Sequence, residues 1–116
     1  MTHYNVSCHC GNIAYEVEGD LQQAIECNCT HCSRKGYLLW FVPRSQVTFR
    51  SDDEDMSEYQ FNKHVIHHKF CPDCGCAPLA MGKDAKGNDT VSVNVRCIEG
   101  IDLATVKRVP FDGLHR

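Results

Sequence analysis

Long apolar runs are missing from this chain. No stretch approaches the ~20 residues a helix needs to cross a bilayer, which argues against a membrane span. The opening Met1-Thr2-His3-Tyr4-Asn5 lacks the apolar segment of a secretory leader, and this predicts a cytoplasmic protein. Positive charge is also in short supply. Twelve Lys and Arg against fifteen Asp and Glu give a net charge of -3 with His neutral. That balance suits a phosphate backbone poorly, and the acidic stretch Asp52–Asp55 suits it less, so nucleic acid is not the expected partner. Helical periodicity is scarce. Thr30–Lys35, ending at Gly36, and Ile101–Val106, with Asp102 near its start, could each form a turn, but neither is long enough for a helix that stands alone. There is no internal repeat and no low-complexity tract. A hydrophobic content of 42% excludes a disordered tail.

What is present alternates like half-buried strand. In Asn12–Glu18, Ile13, Tyr15 and Val17 share a face, and in Val91–Arg96, Val91, Val93 and Val95 oppose Ser92, Asn94 and Arg96. The apolar run Leu38–Val42 stops at Pro43 and reads as a strand buried on both faces. Val47–Phe49, Glu58–Phe61 and Val65–Phe70 are weaker strand candidates, and Gly82–Asn88 reads as a turn between strands. With 116 residues, the expectation is one mostly-β domain over residues 1–116, with coiled sheets and long connections.

Nine cysteines make the strongest signal. In a compartment where thiols stay reduced, clustered cysteines read as metal ligands first. Phe70-Cys71-Pro72-Asp73-Cys74-Gly75-Cys76 contains C-P-x-C-G, a zinc knuckle. Pro72 presets its turn and Gly75 supplies positive φ. A knuckle gives two thiolates and a closed tetrahedral Zn²⁺ site needs four. Cys8-His9-Cys10-Gly11 fits the need, because alternate side chains of an extended segment share a face. Cys8, Cys10, Cys71 and Cys74 are therefore expected to form a structural Cys₄ site, which would replace core that a short chain cannot supply.

Cys27-Asn28-Cys29-Thr30-His31-Cys32 offers three thiolates. Three protein ligands and one exchangeable position are the pattern of a catalytic zinc. Two zinc ions per chain are thus expected. The triple could instead share the knuckle's metal, or be closed by Cys76, Cys97 or His31 as a second structural site. Cys76 and Cys97 otherwise read as buried apolar residues. A redox role for the C-x-x-C elements lacks the βαβ context of a thioredoxin-like motif.

The order C-H-C-G, then C-x-C-x-x-C followed by basic residues, then a W-F-V-P strand, then F-C-P-x-C-G, resembles the glutathione-dependent formaldehyde-activating enzyme (GFA) family. Asn94-Val95-Arg96-Cys97-Ile98-Glu99-Gly100 and Phe111-Asp112-Gly113 add to the likeness, which spans nearly the whole chain. The resemblance implies an Mss4-like fold, a single zinc-binding CENP-V/GFA domain, with Cys8, Cys10, Cys71 and Cys74 on the structural zinc and Cys27, Cys29 and Cys32 on the catalytic one. It also implies a carbon–sulfur lyase of thiol–aldehyde adduct chemistry, similar to S-(hydroxymethyl)glutathione synthase, with glutathione and formaldehyde as partners. This chain is short next to the enzyme that names the family.

Other residues suit that chemistry by type. Arg34 and Lys35, directly after the triple, and Arg44 could hold the two carboxylates of glutathione, or could be solvated basic side chains. His31, His67 and His68 could return a proton to the new alkoxide, or could be plain surface or strand histidines. Trp40 and Phe41 could wall the pocket or belong to the core. The alternative reading is a non-catalytic zinc-binding interaction module of the same fold; a zinc-storage or redox-sensing protein is a further rival.

Overall fold

The computed structural model describes residues 2–51, 56–60 and 66–112. Among these residues ten strands form two sheets. In chain order they are β1 (Thr2–Ser7), β2 (Ala14–Gly19), β3 (Gln23–Cys27), β4 (Leu39–Pro43), β5 (Val47–Phe49), β6 (Ser57–Tyr59), β7 (His67–Phe70), β8 (Leu79–Lys83), β9 (Asp89–Asn94) and β10 (Lys107–Phe111). The α-helix among the described residues is α1 (Thr30–Lys35). The small sheet runs β1-β2-β5 and the large one β10-β3-β4-β9-β8-β7-β6. Pairing is antiparallel throughout except that β10 runs parallel to β3. The mostly-β expectation is met. Among the described residues no helix is long and apolar enough to cross a membrane.

The core lies between the sheets, and alternation decides what enters it. Ile13, Tyr15 and Val17 are buried from the small sheet, and Val91, Val93 and Val95 from the large one, as their spacing demands. Each such side chain contributes about 1.5–3 kcal/mol on burial. The Tyr15 hydroxyl finds a partner in the Pro78 carbonyl at 2.8 Å, which ties β2 to the loop before β8. Buried Asn94 donates from Nδ2 to the Ala77 carbonyl at 3.0 Å and caps the 3-10 turn Val95–Cys97 through the Arg96 amide.

Several expectations need correction. Leu38–Val42 is not buried on both faces: Trp40 and Val42 pack inward, while Phe41 is 54% exposed on the opposite face. The run is continuous in composition, but the sheet still sends alternate residues to opposite sides. The strand at Val91–Arg96 ends at Asn94 and passes into a 3-10 turn. Ile101–Val106 gives only a 3-10 turn over Leu103–Thr105, capped by Asp102. β1, β3, β8 and β10 escaped the pattern reading. β8 contains Ala80 and Gly82, which are weak strand formers. β10 carries Pro110, which suits only the edge position it occupies. Phe61, Val65, the acidic stretch Asp52–Asp55 and Gly113 lie outside the described residues.

The register gives the large sheet two distinct faces. Across the inner face run Trp40, Val93, Leu79, Lys69 and Glu58, and beside them Val42, Val91, Met81 and His67. Across the outer face run Phe41, Ser92, Ala80, His68 and Tyr59. Each row changes from apolar or small residues to charged and aromatic ones as it crosses β7 and β6.

Candidate metal centres

The sulfurs of Cys8, Cys10, Cys71 and Cys74 lie within 4.8 Å of one another. Two turns place them. After β1 the Gly11 amide donates to the Cys8 carbonyl at 3.2 Å, with Gly11 at φ 85°, and the Ile13 amide donates to Cys8 Sγ at 3.3 Å. After β7 the Gly75 amide donates to the Cys71 carbonyl at 2.9 Å, with Gly75 at φ 79°, and the Cys74 amide approaches Cys71 Sγ at 3.5 Å. These are two copies of one local device: a turn that aims backbone N–H groups at sulfur. Asn12 donates to Asp73 across the gap between the turns.

The donor set fits a closed Zn²⁺ site. Cys8 to Cys10 is 3.6 Å and Cys10 to Cys71 is 3.5 Å. A tetrahedron with metal–sulfur distances of ~2.3 Å has edges of roughly 3.8 Å. The electrostatics agree. The backbone amides of Cys10 and Cys76 hold the Cys74 thiol down at about 5. The Asn12 amide works to lower Cys10 too, but the neighbouring sulfurs of Cys71, Cys8 and Cys74, together with burial, push that thiol up to about 12. Four thiolates packed this closely repel one another, and a dication at their centre relieves the repulsion.

The second cluster is Cys27, Cys29 and Cys32, whose sulfurs also lie within 4.8 Å of one another. Cys27 ends β3. Cys29 is the N-cap of α1: its sulfur accepts from the Cys32 amide at 3.3 Å, as a capping serine oxygen would. The Cys29 amide in turn approaches Cys27 Sγ at 3.5 Å. Gly36, in the left-handed region at φ 70°, closes the helix. Burial alone would raise the Cys29 thiol, but the Cys32 amide and the Cys32 and Cys27 thiols hold it below its ordinary value, while burial, Cys29 and Cys27 push Cys32 up. Among the described residues no fourth Cys, His, Asp or Glu joins this cluster. Cys76 and Cys97 pack instead against the main core. The His31 ring turns away toward His68, at 4.4 Å between centroids, and stacks on Tyr59 at 5.5 Å.

The surroundings of the three sulfurs lie on the outer face of the large sheet. Cys32 and Tyr37 are buried with Ala77, against Leu39 and Phe70. Phe111 of β10 stands beside Cys27 in register and is 41% exposed. Arg34 and Lys35 occupy the last turn of α1: Arg34 Nη1 donates to the Thr30 carbonyl at 2.8 Å, and Lys35 Nζ sits 5.5 Å from the centroid of the Phe70 ring. His68 is buried on this face. Burial first, then His31 and Lys35, lower it to about 4, so it is neutral at pH 7.

Two sequence candidates are elsewhere. His67 points to the inner face, where Nδ1 meets Glu58 at 3.0 Å. Arg44 begins the 3-10 turn before β5 and lies over the Phe49 ring at 4.8 Å. Trp40 packs edge-on against Tyr4 at 5.5 Å in the core and walls no part of this site. Tyr37 and Tyr59, which do flank it, had no motif to announce them; the turn after α1 brings the first there and strand register the second, as register brings Phe111 of the Phe111-Asp112-Gly113 run.

A crystal structure of a Rhodobacter sphaeroides protein matches with a TM-score of 0.76 at 26% identity, covering 90% of this chain and 99% of that one. The family model for the glutathione-dependent formaldehyde-activating enzyme matches residues 3–108, so the chain belongs to that family.

Proposed function

We propose that the protein catalyses thiol–aldehyde adduct chemistry at Cys27, Cys29 and Cys32, as a carbon–sulfur lyase resembling S-(hydroxymethyl)glutathione synthase, and that Cys8, Cys10, Cys71 and Cys74 hold a structural zinc. The observation that carries this reading is the unequal ligand count. Among the described residues one all-cysteine cluster numbers four and the other three, the latter partly exposed and bordered by cations and aromatic rings.

In the proposed reaction a thiol adds to an aldehyde carbon. The C–S bond forms, the carbonyl π pair moves to oxygen, and the proton lost by sulfur ends on that oxygen, with no net oxidation. Cys27, Cys29 and Cys32 would hold a Zn²⁺ ion, which when bound would supply Lewis acidity toward thiol and carbonyl. The chain's own residues do the rest. Cys27 and Cys29, pinned by backbone amides, keep a fixed spacing. Arg34 and Lys35 offer two exposed cations to the two carboxylates of glutathione, the thiol suggested by family membership. The neutral ring of His68, paired with His31, places hydrogen-bonding nitrogen rather than a further cation beside the cluster. Holding both reactants against one small surface makes a bimolecular step effectively unimolecular.

The test is metal content together with turnover. Wild type is expected to hold near two zinc ions per chain and to accelerate glutathione–formaldehyde adduct formation, followed by NMR exchange. The triple variant Cys27→Ser, Cys29→Ser, Cys32→Ser is expected to hold near one and to be inactive. Equal turnover in the two proteins would refute the catalytic assignment. Two metals in the wild type with no turnover would leave the non-catalytic module as the better reading.

A further inference from the structure

A three-stranded sheet cannot cover a seven-stranded one. Where the small sheet ends at β5, the inner face of β6, β7 and β8 continues, and a cavity of about 680 Å³ opens there. Its volume falls in the range of small-molecule sites, ~300–1,000 Å³. No residue of either cysteine cluster lines it. Strand parity separates it from the three-sulfur cluster: His67 and Lys69 line the cavity, while the intervening His68 and the following Phe70 face the other way.

The lining has a definite chemistry. Phe49, Met56 and Met81 form an apolar wall, and the flexible thioethers adapt to an irregular apolar partner. Arg44, Lys69 and Lys83 are set against Glu58 and Asp89. Lys69 is spent on Glu58 at 2.8 Å and Lys83 on Asp89 at 2.7 Å. Arg44 meets no carboxylate at ion-pair distance among the described residues. Its guanidinium is nonetheless held in place: Nη1 donates to the Val47 carbonyl at 2.8 Å, and the plane lies over Phe49. Asp89 is held below its ordinary value by Lys83 first, with burial opposing and Arg44 adding a smaller push in the same direction. A fixed guanidinium fork beside an apolar wall is the recognition pattern for a carboxylate with a hydrocarbon body.

We propose that this inter-sheet cavity is a second ligand site, taking a small monocarboxylate whose charged end meets Arg44 and whose apolar body lies on Phe49, Met56 and Met81. It stands apart from the reaction proposed for the cysteine triple and needs none of its residues.

The probe is hexanoate, titrated into the zinc-loaded full chain and followed by amide NMR shifts, with hexan-1-ol as the uncharged match. Hexanoate is expected to shift the amides around residues 44, 49 and 81–83, to leave 27–32 in place, and to bind at least tenfold more tightly than the alcohol. Arg44→Gln should weaken it at least tenfold. If Arg44→Gln fails to fold for want of the Val47 bond, Lys83→Glu reverses the exposed rim charge without touching the core and should also weaken binding. Absence of shifts at millimolar hexanoate, shifts centred on 27–32, equal binding of acid and alcohol, or undiminished binding in the folded variant would each overturn the proposal.

Discussion

The two cysteine clusters share a ligand chemistry and do different things to the chain. The four-sulfur cluster joins residues far apart in sequence: Cys10 and Cys71, 3.5 Å apart in space, are separated by 61 positions. Metal bound there closes a long loop and fastens the β1–β2 turn to the end of β7, so binding energy becomes folding energy. The three-sulfur cluster takes every ligand from one short stretch: the end of β3, the cap of a six-residue helix and a residue within that helix. It closes almost no loop and fastens nothing distant. On the proposed reading, sequence separation and ligand number, rather than ligand type, would distinguish a structural staple from a reactive centre.

The largest effect should come from breaking the staple. Cys71→Ser removes a fully buried ligand from the long-range cluster. It should cost more than the ~5–15 kcal/mol that a domain has in reserve, and so abolish the cooperative thermal transition seen by circular dichroism. Cys29→Ser should leave the transition within about 2 kcal/mol of wild type while removing thiol–aldehyde turnover, because its losses are a local cap and a local ligand. If both variants unfold alike, the contrast between the clusters is wrong.

Chelation gives the next largest effect. A mild chelator at neutral pH should take metal from the three-sulfur cluster first, ending turnover with no change in far-ultraviolet circular dichroism. Removal of the second ion should then unfold the chain. Loss of structure in step with the first ion would break the distinction.

Acid should sharpen it on a smaller scale. His68 has a folded pKa of about 4 against an ordinary 6.5, because burial disfavours the imidazolium. Below pH 6.5 the unfolded chain takes the proton more readily than the folded one, so stability is expected to fall as pH drops from about 6.5 toward 4 and to be flat above. His68→Asn should flatten that slope relative to wild type in denaturant titrations at successive pH values.

The smallest effect concerns Tyr37, buried beside Cys32 with a hydroxyl that has no hydrogen-bond partner among the described residues. Tyr37→Phe should leave the melting temperature unchanged or raise it by a few degrees, since an unsatisfied buried hydroxyl costs ~1–3 kcal/mol. A fall in melting temperature would mean that the hydroxyl is bonded in solution.

Much of this was legible in the chain itself. C-x-C and C-P-x-C-G with their glycines told which sulfurs would pair within each turn, because turn chemistry is local and residue-specific, while the meeting of the two turns was an expectation weighed against a knuckle shared with the triple. Thr30–Lys35 and Val47–Phe49 formed where their residues indicated. The illegible part is what neighbours decide. Nothing in Lys107–Phe111 says that it will lie parallel to Gln23–Cys27, and nothing in Lys69 says that an inward-facing lysine will find Glu58 on the adjacent strand. Histidine is ambiguous for the same reason: adjacent in sequence, His67 and His68 went to opposite faces of one sheet, and parity alone separated a ring that meets Glu58 from one that packs on His31.

The parallel strand has a consequence for how the protein comes into being. β3, which delivers Cys27, shares one registered pair with β4, at Ile25 and Leu39, and five with β10. A ribosome releases the chain from its N-terminus, so Cys27 emerges long before Lys107 does. Until those late residues arrive, the strand that presents Cys27 is held at a single point. All three cysteines of that cluster have emerged by Cys32, well before Cys71 and Cys74 supply the second half of the four-sulfur set, so a metal ion reaching the nascent chain early meets a full local trio on a strand whose parallel partner is still to come.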